Sequence, residues 1–446
     1  MAKIAFLGAG STIFAKNVLG DCLTREPLQD VHIALYDIDN TRLRESMRML
    51  ETINRNVNQG RARITAHLGV ANRRKALQGA GYVVNAINVG GYAPCTITDF
   101  EVPKKYGLRQ TIADTLGIGG IFRALRTLPV MLDFAHEMET VCPDAWFLNY
   151  TNPICMLAGG MLRGSSIRTV GLCHSVQICS ANLLSALGLL EKYPPHEVHQ
   201  YVAGINHMGW LLKIEHNGVD LYPEIKKLAA AKLRKWRKGA EKSRDMIRLE
   251  MMLHLGYYIS ESSEHFSEYV PHFIKAAHPE LISEFNIPLD EYPRRCLRQI
   301  ERWKTMSLEL ASNPSLTHSR THEYGSAIIE AMETNQTIEV GGNVLNHGLI
   351  PNLPAKACVE VPCLVNANGV QGCHVGELPE PCAAYNRTSI NVQLLTIEAV
   401  LERRRDRIYQ AAMLDPHTAS ELTIDQIRNL CDDLIEAHGK WLPKFK

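Results

Sequence analysis

Lys3-Ile4-Ala5-Phe6-Leu7-Gly8-Ala9-Gly10-Ser11-Thr12 is the stretch that decides the fold of this chain. A short apolar run stops at a glycine, a second glycine comes two residues on, and a helical pattern then runs from about Ile13 to Thr24. A second apolar run, Val31 to Tyr36, ends in Asp37. Strand, glycine turn, helix, strand and acidic end is the opening unit of a dinucleotide-binding fold. Gly8 and Gly10 let the backbone approach a pyrophosphate, while Ser11 and Thr12 open a helix whose first N–H groups lack intrahelical partners. Asp37 is placed to accept ribose hydroxyls, and its charge disfavours the extra phosphate of NADP. The match is incomplete, because Ile13 stands where a third glycine is expected. A tight turn with no ligand is the alternative. The later strand Tyr82–Val89, ending in Gly90-Gly91, continues the strand–helix alternation and favours the dinucleotide.

Working outward, Asp114-Thr115-Leu116-Gly117-Ile118-Gly119-Gly120 places an acid and a hydroxyl before three glycines in four positions. This predicts a mobile or closely approached loop. The apolar strand Trp146–Leu148 then delivers Asn149-Tyr150-Thr151-Asn152-Pro153. Amides at a strand end sit where open α/β sheets bind ligands, and an amide both donates and accepts, as sugar hydroxyls require. A further run, Thr169–Leu172, ends in Cys173-His174-Ser175, and some 30 residues on lies Gly204-Ile205-Asn206-His207. A thiolate and an imidazole on separate elements can share one divalent metal and leave positions open for substrate. With 12 cysteines and 18 histidines in the chain, an inert core cysteine beside a satisfied histidine is the bland alternative for any one pair. Gly256 to Tyr269 is unusually dense in carboxylates, imidazole, hydroxyls and phenols. It predicts either an acid–base segment or a solvated turn capping a helix at Ser263.

The bulk numbers exclude other classes. At 446 residues the chain is too long for one ordinary core, so two domains are expected. A net charge of +1 leaves no basic bias for nucleic acid or an anionic membrane. Gly8 interrupts the first apolar run before it could serve as a secretion signal, and no run reaches the roughly 18 apolar residues of a membrane span. The cysteines form no disulfide framework, so reduced thiols in a cytoplasmic protein are expected. The stretch 226–248 is basic and helical in composition, predicting a solvated face. Residues 343–354 read as turn-rich, 359–364 as a strand, and 392–401 as an apolar helix for core or subunit contacts.

Taken in order, these motifs resemble the family-4 glycoside hydrolases over nearly the whole chain. The 261–269 segment and Met413-Leu414-Asp415-Pro416-His417-Thr418 are similar to the branch that acts on α-galactosides. The resemblance implies an α/β fold: an N-terminal Rossmann-like doubly wound domain (1–195) and a C-terminal α+β domain (196–446) for substrate, metal and oligomer contacts. It implies transient oxidation at sugar C3 by NAD, loss of the C2 proton to a base, elimination of the glycosidic oxygen, water addition at C1 and return of the hydride. A divalent metal, typically Mn²⁺, would hold the C2 and C3 oxygens. Cys173 and His207 match the metal ligands, and His174 takes the position of the proton donor, an aspartate in some branches. Tyr258, Glu264 and His265 are the candidate bases. Asn149, Asn152 and Asp114 are the expected sugar contacts. Family members are usually dimers or tetramers. The alternatives are the same chemistry on α-glucosides, α-galacturonides or 6-phospho-glycosides, or an NAD-dependent hydroxy-acid dehydrogenase.

Overall fold

The computed structural model describes residues 2–446; Met1, first residue of the expected N-terminal domain, lies outside them. Six parallel strands come first: β1 (Lys3–Leu7), β2 (His32–Asp37), β3 (Arg63–Leu68), β4 (Tyr82–Asn85), β5 (Trp146–Asn149) and β6 (Arg168–Gly171). They lie in the order β3-β2-β1-β4-β5-β6. This doubly wound arrangement has its switch point between β1 and β4, the crevice where such sheets bind ligands. Ile4 to Leu7 and Ile33 to Leu35 have no exposed surface, because helices cover both faces. That is why these strands are continuous apolar runs with no polar alternation.

The second half adds β7 (Val198–Ile205), β8 (Met208–His216), β9 (Val219–Asp220), β10 (Tyr258–Ile259), β11 (Ile338–Leu345), β12 (Cys358–Asn366) and β13 (Gly369–Gly372). These do not form a separate sheet. β11 pairs antiparallel with β6 through Asn343 and Gly171, and β12 bridges β11 to β7. One 13-stranded sheet therefore runs through both expected domains. No helix of the described residues is long and apolar enough to cross a membrane.

Local outcomes are set by packing. Helix α1 (Thr12–Leu23) starts one residue before the expected position. Ile13 is 46% exposed, so its side chain points away from the strand–helix contact that a third glycine would normally serve. The run at 82–89 stops being strand at Asn85, and Ala86, Ile87 and Asn88 leave the sheet to line a cavity. Residues 226–248 break into two helices, Tyr222–Arg237 and Met246–Leu255. Residues 343–345 belong to β11, and the turn begins only after Leu345. Val392–Leu401 lies within helix Glu380–Glu402, whose Val392, Ile397 and Val400 are buried in the core.

Candidate active site

The Gly8 turn is built from a backbone that tolerates no side chain. Gly8 has φ +83°, and a Cβ there would stand 2.7 Å from the Ala86 carbonyl oxygen. A Cβ on Gly10 would meet Asp37 Oδ2 at 2.8 Å. The Asp37 carboxylate accepts the Gly10 N–H at 2.6 Å and the Asp39 N–H at 2.8 Å, which ties the end of β2 to the glycine turn. Thr12 is buried, and its hydroxyl accepts from Ser46 Oγ at 3.0 Å. Ser11 makes no capping bond to α1, so the helix start faces outward with donors to spare. It opens on a cavity of about 770 Å³, lined by Gly10, Ser11, Thr12 and Ile13 on one side and Cys296 and Trp303 on the other. A cradle that a Cβ would fill, at a helix N-terminus of this kind, fits a dinucleotide.

A second cavity of about 550 Å³ adjoins it, with Ser11, Phe14, Asn88, Tyr292 and Gln299 lining both. β6 ends at Gly171 and delivers Cys173 and His174 to this space. The β7–β8 hairpin turns in two residues, Asn206 and His207, and His207 adopts φ +63°. A non-glycine residue in that region is uncommon, and the hairpin pins it so that the imidazole meets the end of β6. Cys173 Sγ, a His207 ring nitrogen and a Glu261 carboxylate oxygen all lie within 4.8 Å of one another. His207 Nε2 is 3.4 Å from Glu261 Oε2, and its Nδ1 pairs with the Tyr269 hydroxyl at 3.2 Å.

Burial alone would lower the His207 pKa, yet the Glu261 carboxylate and Cys173 overcome it and raise the value to about 10. Burial would raise Glu261, but the His207 and His265 imidazoles pull it down to about 2. The site's thiolate, imidazole and carboxylate donors suit a borderline divalent ion. Asp114, His207 and His265 form a second, overlapping set at the same spacing.

His265 is buried, with Nδ1 2.8 Å from Ser262 Oγ and Nε2 3.8 Å from Asp114 Oδ1. Burial lowers its pKa, so the ring is neutral near pH 7. Asp114 accepts from Asn152 Nδ2 at 3.2 Å and from the Thr115 hydroxyl at 2.8 Å. The loop before it is held by Glu268, which accepts the N–H groups of Thr111, Ile112 and Ala113 at 2.7, 3.2 and 2.8 Å. Gly117, Gly119 and Gly120 begin helix Gly117–Val141 instead of a mobile loop. A Cβ on Gly119 would sit 2.5 Å from the Ala113 carbonyl oxygen and one on Gly120 2.6 Å from that of Thr115, so these two serve close approach, while Gly117 supplies φ +77° at the helix start. His174 Nε2 is 2.6 Å from Glu323 Oε2, and its ring stacks on Tyr150 at 5.9 Å.

Three expected residues do not reach the cavity. Tyr258 has no exposed surface; its hydroxyl donates to Asp245 Oδ2 at 2.6 Å, and burial holds its pKa well above the ordinary phenol value. Glu264 turns to Arg295 and borders a separate cavity of about 160 Å³. Asn149 is sealed in the sheet, accepting from Asn85 Nδ2 at 2.9 Å and from the Thr151 N–H at 3.1 Å. It shapes the strand end that carries Asn152. Conversely, Glu261, Glu323, Arg123 and Glu268 belong to the site without having been expected there. Only Glu261 had a local signal, four residues before His265 in the dense segment.

The position of Tyr258 gives a clean expectation. Tyr258→Phe removes one buried hydrogen bond, costing about 1–2 kcal/mol of stability in a denaturation curve. Its kcat should stay within about threefold of wild type, far from the loss expected of a general base. A hundredfold fall would return Tyr258 to the chemistry.

Comparison with known proteins bears on this geometry. The model "Family 4 glycosyl hydrolase" matches residues 3–189, and "Family 4 glycosyl hydrolase C-terminal domain" matches residues 202–418. An α-galactosidase of Bacillus subtilis (strain 168) is 58% identical over 447 residues, covering 100% of both chains. An α-galactosidase of Rhizobium meliloti (strain 1021) is 33% identical, covering 99% of this chain and 89% of that one. Among solved structures, the 6-phospho-β-glucosidase of Thermotoga maritima with manganese, NAD⁺ and glucose-6-phosphate superposes with a TM-score of 0.76. It covers 100% of both chains at 20% identity, a likeness of fold.

Proposed function

The chain belongs to the family 4 glycosyl hydrolases, and from that premise we propose that it is an α-galactosidase working with NAD and a divalent metal such as Mn²⁺. The observation that carries the chemistry is the Cys173, His207 and Glu261 donor set opening into a cavity continuous with the Gly8–Thr12 turn. The identity of the sugar rests on the end-to-end likeness to α-galactosidases. When bound, the nicotinamide supplies reversible hydride acceptance at sugar C3, and the metal supplies polarisation of the C2 and C3 oxygens.

The protein's own residues do the rest. Gly8, Gly10, Ser11 and Thr12 give the cofactor a close backbone approach, and Asp37 stands at the ribose end. Cys173, His207 and Glu261 would hold the metal. His265 takes the C2 proton: it is buried, neutral and oriented by Ser262, and of the three candidate bases it alone faces the cavity. Asp114 and Asn152, already bonded to each other, present their remaining polar atoms to sugar hydroxyls; Asn152 Oδ1 is buried with no partner. His174, set by Glu323, stands next to the metal ligand and is our candidate for protonating the leaving oxygen.

The dehydrogenase alternative requires a guanidinium free to clamp a carboxylate. Of the three arginines at the cavity, Arg248 and Arg295 are already paired with Asp245 and Glu264, and Arg123 is buried with its donors on the Asn152 carbonyl and the Tyr292 hydroxyl. The finer setting is a reduced cytoplasmic one, consistent with twelve unpaired thiols. A homodimer or homotetramer rests on family resemblance.

The test is release of nitrophenol from 4-nitrophenyl α-galactoside by dialysed protein under reducing conditions, with NAD⁺ and Mn²⁺ each supplied or withheld. Activity needing both, without net NADH, is expected. Net NADH formed on a hydroxy acid would overturn the glycosidase reading.

A further inference from the structure

Three arginines among the described residues line the cavity assigned to the sugar, which is unexpected for a site meant to take an uncharged galactoside. A guanidinium is the side chain best suited to grip a carboxylate or phosphate. What each arginine already holds resolves the conflict. Arg123 is buried, donating to the Asn152 carbonyl at 3.1 Å and to the Tyr292 hydroxyl at 3.4 Å. Arg248 is buried, paired with Asp245, and packed over the Tyr258 ring at 4.5 Å. Arg295 differs: its side chain keeps 34% of its surface exposed, so it has room to turn.

Arg295 is held by two carboxylates. One is Glu291, at 3.2 Å, but Glu291 also serves Arg294 at 2.9 Å and Arg298 at 2.8 Å. The other is Glu264, which pairs with Arg295 through its Oε1 and has no second cationic partner among the described ion pairs. Glu264 is itself only 13% exposed at its side chain, so its charge acts in a poorly screened setting. Three guanidiniums therefore share two carboxylates. Remove the charge on Glu264, and a single carboxylate faces all three.

We propose that Glu264 is a specificity-determining residue: by occupying Arg295 it excludes sugars that carry a carboxylate or phosphate, leaving the site to neutral α-galactosides. An anionic sugar must displace Glu264 from Arg295 and then lie close to a displaced, partly buried negative charge, whereas a neutral sugar disturbs nothing. Discrimination of this kind rests on a repulsive element as much as on a fitted pocket. Glu264 touches none of the reacting atoms and acts through Arg295. This inference rests on the α-galactosidase reading above and adds to it the means of rejecting charged sugars.

The experiment compares kcat/KM on 4-nitrophenyl α-galactoside and 4-nitrophenyl α-galacturonide for wild type, Glu264→Gln and Glu264→Asp, each with NAD⁺ and Mn²⁺. Glu264→Gln keeps the size and one hydrogen bond but loses the charge. It should raise the galacturonide-to-galactoside ratio by about tenfold or more, as a gained charge-assisted bond requires, and Glu264→Asp should bring the ratio back towards wild type. A ratio that stays within about twofold while both activities fall together overturns the proposal, since a merely structural role predicts that outcome. Should Glu264→Gln be too slow to assay, calorimetric affinities for galacturonate and galactose decide: no relative gain for galacturonate overturns it equally. A wild type that prefers galacturonide would overturn the α-galactosidase reading and this proposal together. A wild-type galactosidase whose ratio ignores Glu264 overturns the proposal alone.

Discussion

Cys173→Ser should leave a folded protein that binds NAD⁺ with near wild-type affinity and hydrolyses α-galactosides on the order of a thousandfold more slowly. Cys173 would bring the soft, anionic ligand of a set completed by His207 and Glu261. A serine hydroxyl in its place stays protonated near pH 7 and is a far poorer ligand. Losing the several kcal/mol of charge stabilisation that a bound metal contributes corresponds to a few powers of ten in rate. The nucleotide turn is built separately, from β1, α1 and the end of β2, so its affinity should stay unchanged. Calorimetric titration with Mn²⁺ and with NAD⁺, beside the rate assay, separates the two effects. Full activity in Cys173→Ser would remove this residue from the metal site.

His265→Ala should lower kcat by about 10²- to 10⁴-fold with KM changed far less, the usual span for loss of a positioned general base. His265 has a hydrogen bond that fixes the ring, through Ser262 Oγ at 2.8 Å, and a burial that keeps it unprotonated. Its lowered pKa fixes the sign of the pH dependence. A base is active when deprotonated, so the acid-side fall in activity should come at lower pH than an unperturbed histidine would give. Exchange of the C2 hydrogen with deuterated solvent gives a direct readout. Wild type should place deuterium at C2 of the product, and His265→Ala should do so far more slowly. Unchanged kcat and unchanged exchange would move the base to another residue.

The sequence was most legible where chemistry is local. Gly8 to Thr12 could be read because a turn, a helix start and a close approach all depend on neighbours within a few residues. Cys173 stood out because it follows an apolar run that ends abruptly, and His207 because it offered an imidazole on a separate element to share a metal with that thiol. Which side chain faces which way did not lie within reach of such reading. Tyr258, Glu261, Glu264 and His265 fall within eight positions. Yet Glu261 and His265 reach the cavity, Tyr258 points to Asp245, and Glu264 points to Arg295. The helix begins at Ser263, with Ser262 at its N-cap, and that start sets the rotation of every later residue. A helix begun one residue earlier or later would turn each side chain by about 100°. Asn149 shows the same limit in a strand, where alternate residues face opposite ways. The Glu268 clamp, 155 residues from Ala113, had no local trace at all.

The continuity of the sheet across β6 and β11 bears on how the chain acquires activity as it is made. During synthesis the first six strands emerge together with the nucleotide turn and Cys173, but His207 and Glu261 are still to come, and β11 later still. A half-made chain can therefore assemble a dinucleotide cradle and no more. It has a thiol without its metal partners and a sheet edge without its neighbour. The donor set is complete only once the chain through Glu261 has been made and folded against β6, so a fragment ending before His207 should lack metal-dependent turnover.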